Sequence, residues 1–266
     1  MDKSLLFTRL RILEASTSSR EGHLASSLSC LELLFVISIN VFGNSKSLKG
    51  KELKNSGLKN YLILSKGHAA LAFYSILENL GVIDSQLLDN FVNINSPLGG
   101  HPDSTKFPFA NICTGSLGHG LPVSTGLAFS KRLKEITSTI YVVCGDGEFM
   151  EGSNWEALIL ISRFKLNNLK IFIDWNNTHL TENEIISLVN YAKQLGFYSR
   201  IINGNDIDEV QQVVNSKVKK PSLVICKTTL GHGIPELEGD KSWHHKFLNQ
   251  EEYSRIKNNL MEDGKN

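Results

Sequence analysis

The chain has 266 residues, of which 28 are Lys or Arg and 27 are Asp or Glu. This near-neutral balance gives no electrostatic reason to expect a nucleic acid or an anionic membrane as a partner. Apolar residues make up 41% of the chain, which is typical of a globular protein with a substantial core. The start, Met-Asp-Lys, does not resemble a signal peptide, and the longest apolar stretch, around 31–42, is too short to span a bilayer.

Helical and strand-like patterns alternate along the chain. The patterns predict, in chain order, helices at 4–16 and 29–41, a strand at 61–64, helices at 68–80, 84–93 and 118–134, a strand at 139–144, a helix at 153–164, a strand at 169–174, a helix at 182–195, a strand at 197–202, a helix at 206–217, a strand at 222–227 and a helix at 250–260. This alternation predicts an α/β fold, a parallel β-sheet with helices on both faces. We expect residues 1–266 to form a single domain.

The four cysteines do not form a metal or redox motif. They stand far apart, at positions 30, 113, 144 and 226, and no two of them form a Cys-x-x-Cys pair. Isolated cysteines in or beside apolar segments indicate reduced, buried thiols. We therefore expect a cytoplasmic protein.

The loop after the strand at 139–144 carries the first candidate site. The strand is apolar from Ile140 to Cys144, so it should be buried on both sides, and ligands of such sheets bind beyond the carboxyl ends of the strands. The loop is Gly145-Asp146-Gly147, and a helix follows it. Glycines let backbone N–H groups approach a phosphate, and a helix N-terminus favours an anion. Asp146 would offer a hard oxygen ligand to a metal.

A second polar loop follows the next strand. It begins Trp175-Asn176-Asn177-Thr178, and Asn176 offers a neutral side-chain oxygen. Mg²⁺ prefers about six oxygen ligands and usually takes some of them from substrate phosphates. Each loop alone could be a simple turn. Because both follow consecutive buried strands, the pair indicates a site for a magnesium-bound diphosphate.

The two loops together resemble the thiamine diphosphate fingerprint, Gly-Asp-Gly followed about thirty residues later by Asn-Asn. Other segments are similar to the transketolase family and occur in the family's order. They are Glu21-Gly-His23, Leu64-Ser-Lys-Gly-His68, Gly100-His101-Pro-Asp103, Thr114-Gly-Ser-Leu-Gly118, Gly145-Asp-Gly-Glu-Phe-Met-Glu-Gly152, Lys227-Thr-Thr-Leu-Gly-His-Gly233 and Trp243-His244. The resemblance covers about residues 10–250 and implies the diphosphate-binding (PP) domain of a thiamine diphosphate enzyme.

The resemblance also implies a role for individual residues. It assigns a metal, Mg²⁺ or Ca²⁺ or Mn²⁺ in its place, to Asp146, Asn176 and the carbonyl of Thr178. It assigns the cofactor to His68, Gly115, Ser116, Leu117, Gly147, Glu151, Asn176 and His244. It assigns catalytic contacts with the sugar to His23, His101 and His244. Glu151 and Glu156 match acidic residues that link paired active sites. We treat His179, His232 and His245 as structural or solvated histidines.

The chain departs from the family pattern at three places. Position 119 is His where the family usually has Gln, and position 177 is Asn where transketolases usually have Gly. Residues 24–27, Leu-Ala-Ser-Ser, replace a more glycine-rich stretch. His119 stands beside the expected site of the cofactor ring, where it could change proton handling or substrate preference. The metal ligands themselves are unaffected.

The sequence ends soon after Trp243-His244, whereas a full-length transketolase continues with a pyrimidine-binding domain that supplies an activating glutamate. We therefore expect the N-terminal subunit of a split transketolase, inactive alone and paired as α2β2 with a C-terminal subunit. The expected reaction transfers a two-carbon ketol unit from a ketose, or its phosphate, to an aldose. Two alternatives stay open. One is a subunit of another thiamine diphosphate enzyme, similar to deoxyxylulose-phosphate synthase or a 2-oxo-acid dehydrogenase, and the other is a non-catalytic cofactor-binding paralogue.

Overall fold

The computed structural model describes residues 3–43 and 59–264 of the chain. Its centre is a five-stranded sheet in the order β1-β2-β3-β5-β4, and every neighbouring pair of strands is parallel. The strands are β1 (Tyr61–Leu64), β2 (Ile140–Gly145), β3 (Leu169–Trp175), β4 (Tyr198–Asn203) and β5 (Ser222–Lys227). Each begins within one residue of its predicted start. The predicted α/β fold class is confirmed.

Helices cover both faces of the sheet. In chain order they are α1 (Lys3–Ser19), α2 (Leu24–Ser29), α3 (Leu31–Phe42), α4 (Ala70–Asn79), α5 (Ser85–Asp89), α6 (Gly120–Leu133), α7 (Gly152–Arg163), α8 (Glu182–Gln194), α9 (Ile207–Val214) and α10 (Gln250–Asp263). Alternate residues of each strand join two separate cores. Val143 packs with α1–α4, α9 and α10, whereas its neighbours Val142 and Cys144 pack with α6–α8. This alternation is what a sheet buried on both faces requires.

Two predicted helices differ from the structure. The helix expected at 29–41 corresponds to α3, which begins two residues later at Leu31. It is preceded by α2, a short helix that the sequence did not predict, and all six residues of α2 are buried. Its three serines suggest a loop in the sequence, but they face the protein interior. The helix expected at 84–93 ends at Asp89, and Val92 then adopts a positive φ of 54°, which no helix can accommodate.

The strand register fixes where the two polar loops lie. Gly145 at the end of β2 pairs with Asp174 in β3, and Trp175 at the end of β3 pairs with Lys227 in β5. The carboxyl ends of β2 and β3 are therefore level, and the loops that follow them stand side by side. Three of the four cysteines are buried as expected, but Cys113 is exposed. Within the described ranges, no helix has the length and apolarity needed to cross a membrane.

Candidate functional site

Asp146 is a buried carboxylate that joins the two polar loops. It follows β2 directly and is 3% exposed. Its Oδ2 accepts hydrogen bonds from the backbone N–H groups of His179, at 2.9 Å, and Leu180, at 3.2 Å. Its Oδ1 accepts one from the N–H of Gly147 at 2.9 Å and lies 3.4 Å from the hydroxyl of Thr178. The backbone of both loops therefore fixes the carboxylate, with Oδ1 facing the loop that follows β3.

Asn176 presents its oxygen to the same point. Its Oδ1 accepts a hydrogen bond from the hydroxyl of Thr178, and its amide group donates to Ser29 Oγ at 3.1 Å. The amide is thus oriented, with nitrogen towards the interior and oxygen towards Thr178 and Asp146. The structure brings together the three residues that the resemblance assigns to the metal. One carboxylate, one amide oxygen and a threonine form an all-oxygen donor set, which suits a hard divalent cation.

A cleft of about 160 Å³ adjoins these oxygens. It is lined by Ser26, Lys66, His68, Leu117, Gly145, Asp146, Gly147, Glu148, Asn176, Thr178 and His179. Gly147 forms part of its wall, and a Cβ there would lie 2.9 Å from Nδ1 of His179. His179, which the sequence suggested to be structural or solvated, therefore lies over Gly147 and also 3.4 Å from Oδ1 of Asp146. A ligand in this cleft would lie beside the backbone of Gly147 and the side chains of Asp146, Asn176 and Thr178.

Lys66 and Asp174 form a buried ion pair beside Asn176. The sequence did not predict this pair. Lys66 donates to Asp174, and both side chains are almost wholly buried. Asp174 also accepts hydrogen bonds from Ser29 and Thr228 and lies 3.4 Å from the amide nitrogen of Asn176. Burial lowers the pKa of Lys66, but the charge of Asp174, the hydrogen bond to it and other nearby acidic groups together outweigh burial, and the pKa lies well above its ordinary value. Lys66 therefore stays charged, and the network holds Asn176 in place.

Glu148 ties the predicted ring-side segment to the end of β2. It is 1% exposed, and burial raises the pKa of its carboxyl group. Its oxygens accept hydrogen bonds from Ser65, from the N–H of Gly118 at 3.3 Å and from the N–H of Gly145 at 2.9 Å. The hydroxyl of Ser153 donates to the carbonyl of Gly118 at 2.7 Å. These bonds anchor the end of the segment that carries Gly115, Ser116 and Leu117.

Three histidines from distant segments meet near the cleft. His23 precedes α2, His68 lies in the short 3-10 helix Gly67–Ala69, and His101 lies in the loop after α5. The ring centroids of His23 and His68 are 4.3 Å apart, those of His68 and His101 5.1 Å, and those of His23 and His101 5.5 Å. Burial lowers the pKa of His101, while the charge of Glu21 partly opposes that effect. Two of the histidines predicted to face the sugar, His23 and His101, therefore lie together with His68, which was predicted to contact the cofactor.

The end of the chain adds another histidine to this cluster. The backbone of His244 lies in the 3-10 helix Lys241–His244, but its side chain lies outside the described part of the structure. The ring centroid of the adjacent His245 is 4.9 Å from that of His23. Thus His245, expected to be structural or solvated, contacts the histidine cluster. The expected role of His244 stays a prediction.

Of the remaining predicted residues, Leu117 lines the cleft. Gly115, with a φ of 126°, packs against the ring of His101, and a Cβ there would lie 2.9 Å from Cδ2 of that ring. Asn177, where transketolases usually have Gly, has a φ of 60°. That left-handed conformation explains the departure, since Asn adopts it more readily than most residues. The exposed members of the predicted set are Ser116, Leu117, His119, Glu151 and Glu156.

Comparisons with known proteins agree with this geometry. The family model described as "Transketolase, thiamine diphosphate binding domain" matches residues 6–265. The chain is 36% identical over 251 residues to one of the subunits of an apulose-4-phosphate transketolase from Actinobacillus succinogenes, covering 92% of this chain and 89% of that protein. It is 32% identical over 262 residues to the subunit of the same name from Phocaeicola vulgatus, covering 96% of this chain and 91% of that protein.

Longer transketolases match over part of their length. The chain is 32% identical to human transketolase, and the match covers 90% of this chain but 39% of the human protein. A crystal structure of transketolase from Campylobacter jejuni superposes with a TM-score of 0.85 and 28% identity, covering 98% of this chain and 43% of that one. The chain thus spans about two fifths of these longer proteins. It belongs to the transketolase family, as a thiamine diphosphate binding domain.

Proposed function

We propose that this chain anchors the diphosphate end of thiamine diphosphate, together with Mg²⁺ or with Ca²⁺ or Mn²⁺ in its place. The observation that carries the proposal is the convergence of Asp146, Asn176 and Thr178 beside Gly147 at the level ends of β2 and β3. Hard oxygen donors on one side and backbone N–H groups on the other match a metal-bound diphosphate. Residues 1–266 would serve this role as one domain.

The other residues around the cleft would complete the cofactor site. His68 would contact the diphosphate, and Gly115, Ser116 and Leu117 would face the cofactor rings. When bound, thiamine diphosphate supplies the carbanion-stabilising chemistry of the reaction, and the protein supplies binding and orientation. The lowered pKa of His101 keeps its imidazole neutral near pH 7, so that it can accept a proton from a sugar hydroxyl. His23 and His244 would hold the sugar's other oxygens.

We further propose that the chain works with a separate protein chain. The two relatives that are themselves named as transketolase subunits are matched over about nine tenths of their length, whereas human transketolase is matched over 39%. This pattern supports a split transketolase, in which a C-terminal subunit carries the pyrimidine-binding domain. An α2β2 assembly in the cytoplasm is the simplest arrangement. Because the two relatives are named for apulose-4-phosphate, the reaction proposed is transfer of a two-carbon ketol unit from a ketose phosphate to an aldose.

Cofactor titration of the assembled protein tests the metal site. Thiamine diphosphate is titrated calorimetrically at fixed Mg²⁺ into the complex with its partner, as wild type and as Asp146→Ala. Loss of an outer-shell partner alone typically costs about 10–100-fold in metal affinity, so loss of this ligand should cost at least that much. Asp84→Ala is the matched control, because Asp84 is exposed and its side chain makes no capping hydrogen bond. An unchanged affinity in Asp146→Ala would remove the metal assignment.

An activity assay separates the remaining functions. The purified chain and its complex with a candidate C-terminal partner are each supplied with Mg²⁺, thiamine diphosphate and either a ketose phosphate with an aldose or pyruvate. Ketol transfer by the complex alone is expected. Transfer by the isolated chain at an enzymatic rate would contradict the split arrangement. Turnover of pyruvate without ketol transfer would favour another thiamine diphosphate enzyme, and cofactor binding without turnover of either would favour a non-catalytic paralogue.

A further inference from the structure

The cluster of His23, His68 and His101 has the geometry of a metal site in its own right. Each histidine offers one ring nitrogen, and these three nitrogens all lie within 4.8 Å of one another. A tetrahedral Zn²⁺ with Zn–N bonds of about 2.0–2.1 Å needs its nitrogens roughly 3.4 Å apart. The difference of at most about 1.4 Å can be shared among three side chains, each of which turns about two torsion angles.

The surroundings hold these rings towards one another. Gly67 and Gly115 pack their backbones against the ring of His101, and a Cβ at either position would lie 2.9 Å from its Cδ2. His68 is fixed beside Gly67 by the short 3-10 helix that follows β1. His23, which is 9% exposed, lies at the start of the buried helix α2. Because the ligands come from three firmly packed segments, most of the entropic cost of assembling a site has already been met by folding.

The donor chemistry separates this cluster from the oxygen site at Asp146. Imidazole nitrogen suits Zn²⁺ and neighbouring transition metals, whereas Mg²⁺ prefers oxygen and binds imidazole poorly. Three histidines with an open fourth position form a known type of zinc coordination. The ring of His245 lies beside the cluster, 4.9 Å from that of His23.

We propose that His23, His68 and His101 form a second metal site, which binds Zn²⁺ or another borderline divalent transition metal. Metal binding itself does not depend on the proposed function. Its consequence does rest on that function: if His23 and His101 face the sugar, the bound metal occupies the sugar's position. Zn²⁺ should then inhibit ketol transfer in competition with the ketose phosphate, and added Mg²⁺ should not relieve the inhibition.

Co²⁺ is a direct probe, because tetrahedral coordination by nitrogen gives it an intense visible absorption that octahedral oxygen coordination does not. The full-length chain is titrated with Co²⁺ in the absence of thiamine diphosphate. One equivalent should produce the tetrahedral absorption, Zn²⁺ should abolish it stoichiometrically, and excess Mg²⁺ should leave it unchanged. Absence of the absorption, or its loss on adding Mg²⁺, would overturn the proposal.

Single-residue variants test which side chains bind the metal. His101→Ala and, independently, His23→Ala should each weaken Co²⁺ binding at least tenfold, with circular dichroism confirming that each variant is folded. His232→Ala is the matched control, because its ring pairs with Glu238 and is not among the three clustered imidazoles. Asp146→Ala should retain the absorption. The assignment would be wrong if both histidine variants kept the Co²⁺ absorption, or if Asp146→Ala lost it. Neither result would bear on thiamine diphosphate binding, which the calorimetric titration measures separately.

Discussion

Removing the charge of Lys66 should destabilise the protein strongly, since it breaks the buried ion pair beneath the candidate site. The side chain of Lys66 is 8% exposed and that of Asp174 is fully buried. In Lys66→Met, the carboxylate keeps the hydroxyl donors of Ser29 and Thr228 but loses its only cationic partner among the described residues. The carbonyl of Ser26, which accepts from Lys66 at 3.0 Å, also loses a donor.

The magnitude follows from this environment. Breaking a buried pair by removing one partner costs about 3–5 kcal/mol, because an uncompensated charge stays buried. A typical domain has an unfolding free energy of about 5–15 kcal/mol, so Lys66→Met should remove roughly a fifth or more of it. Asp174→Asn alone should also destabilise, because it leaves Lys66 as the unpaired charge. The double variant Lys66→Met/Asp174→Asn leaves no unpaired charge at this pair. Its loss of unfolding free energy should be about 2–3 kcal/mol smaller than the sum of the losses in the two single variants.

Urea unfolding of the four proteins, followed by circular dichroism, measures this double-mutant cycle. Lys106→Met is the matched control, since Lys106 forms an exposed pair with Asp103 at 3.7 Å, and its unfolding midpoint should not change. A loss below about 1 kcal/mol in Lys66→Met, or simple additivity in the double variant, would refute the reasoning. Thiamine diphosphate affinity should fall in the same single variants, because Asp174 and Ser29 orient the amide of Asn176.

Three further predictions concern separate parts of the chain. NMR titration should give His101 a pKa below 6.5, and Glu21→Gln should lower that pKa further. Because the pKa of His101 is lower in the folded than in the unfolded protein, its protonation should reduce the unfolding free energy as pH falls below 6.5. Gly120→Ala should reduce the unfolding free energy by about 1–3 kcal/mol in urea, since its Cβ would lie 2.7 Å from Cα of Ser65. Thr181→Ala should cost about 1 kcal/mol by the same measurement, because Thr181 caps α8, whereas Thr181→Ser should cost little.

The strands could be predicted closely because their local sequence decides them. β2 and β3 are apolar at nearly every position, and no other structure of that length suits a segment buried on both sides. Their order in the sheet could not be predicted in this way. The insertion of β5 between β3 and β4 depends on how the connecting helices pack. The two exposed residues inside β4, Arg200 and Ile201, do indicate an edge strand in retrospect.

Helix α2 shows how tertiary packing overrides a local pattern. Ser26, Ser27 and Ser29 have weak helix propensity and suggest a polar loop. In the structure Ser29 donates to Asp174, and the carbonyl of Ser26 accepts from Lys66. Ser29 and the backbone of Ser26 therefore contact the ion pair, whereas Ser27 donates to the carbonyl of His68 at 3.4 Å. No periodicity within residues 24–29 carries this information.

Some residues of the candidate site could likewise be predicted from the sequence, and others could not. Asp146 and Asn176 could be identified because each directly follows a buried strand and their spacing has a family counterpart. Lys66 and Asp174 are 108 positions apart, and neither stands in a pattern that names the other as its partner. A carboxylate at the end of an apolar strand was the available signal. A buried charge of that kind requires a cation or several donors, so Asp174 should prompt a search for a buried lysine or arginine.

Three buried carboxylates lie within this small region, and their hydrogen bonds show why only Asp146 suits a metal. Glu148 directs both oxygens to Ser65 and to backbone N–H groups, and Asp174 directs both to hydroxyl groups and Lys66. Asp146 commits Oδ2 to two backbone N–H groups, but the side-chain contacts of its Oδ1, with Thr178 and His179, are 3.4 Å long. A cation can replace those two contacts without breaking a strong hydrogen bond. In the proposed metal site, Asp146 is therefore the acid left available as a ligand, because the other two are satisfied internally.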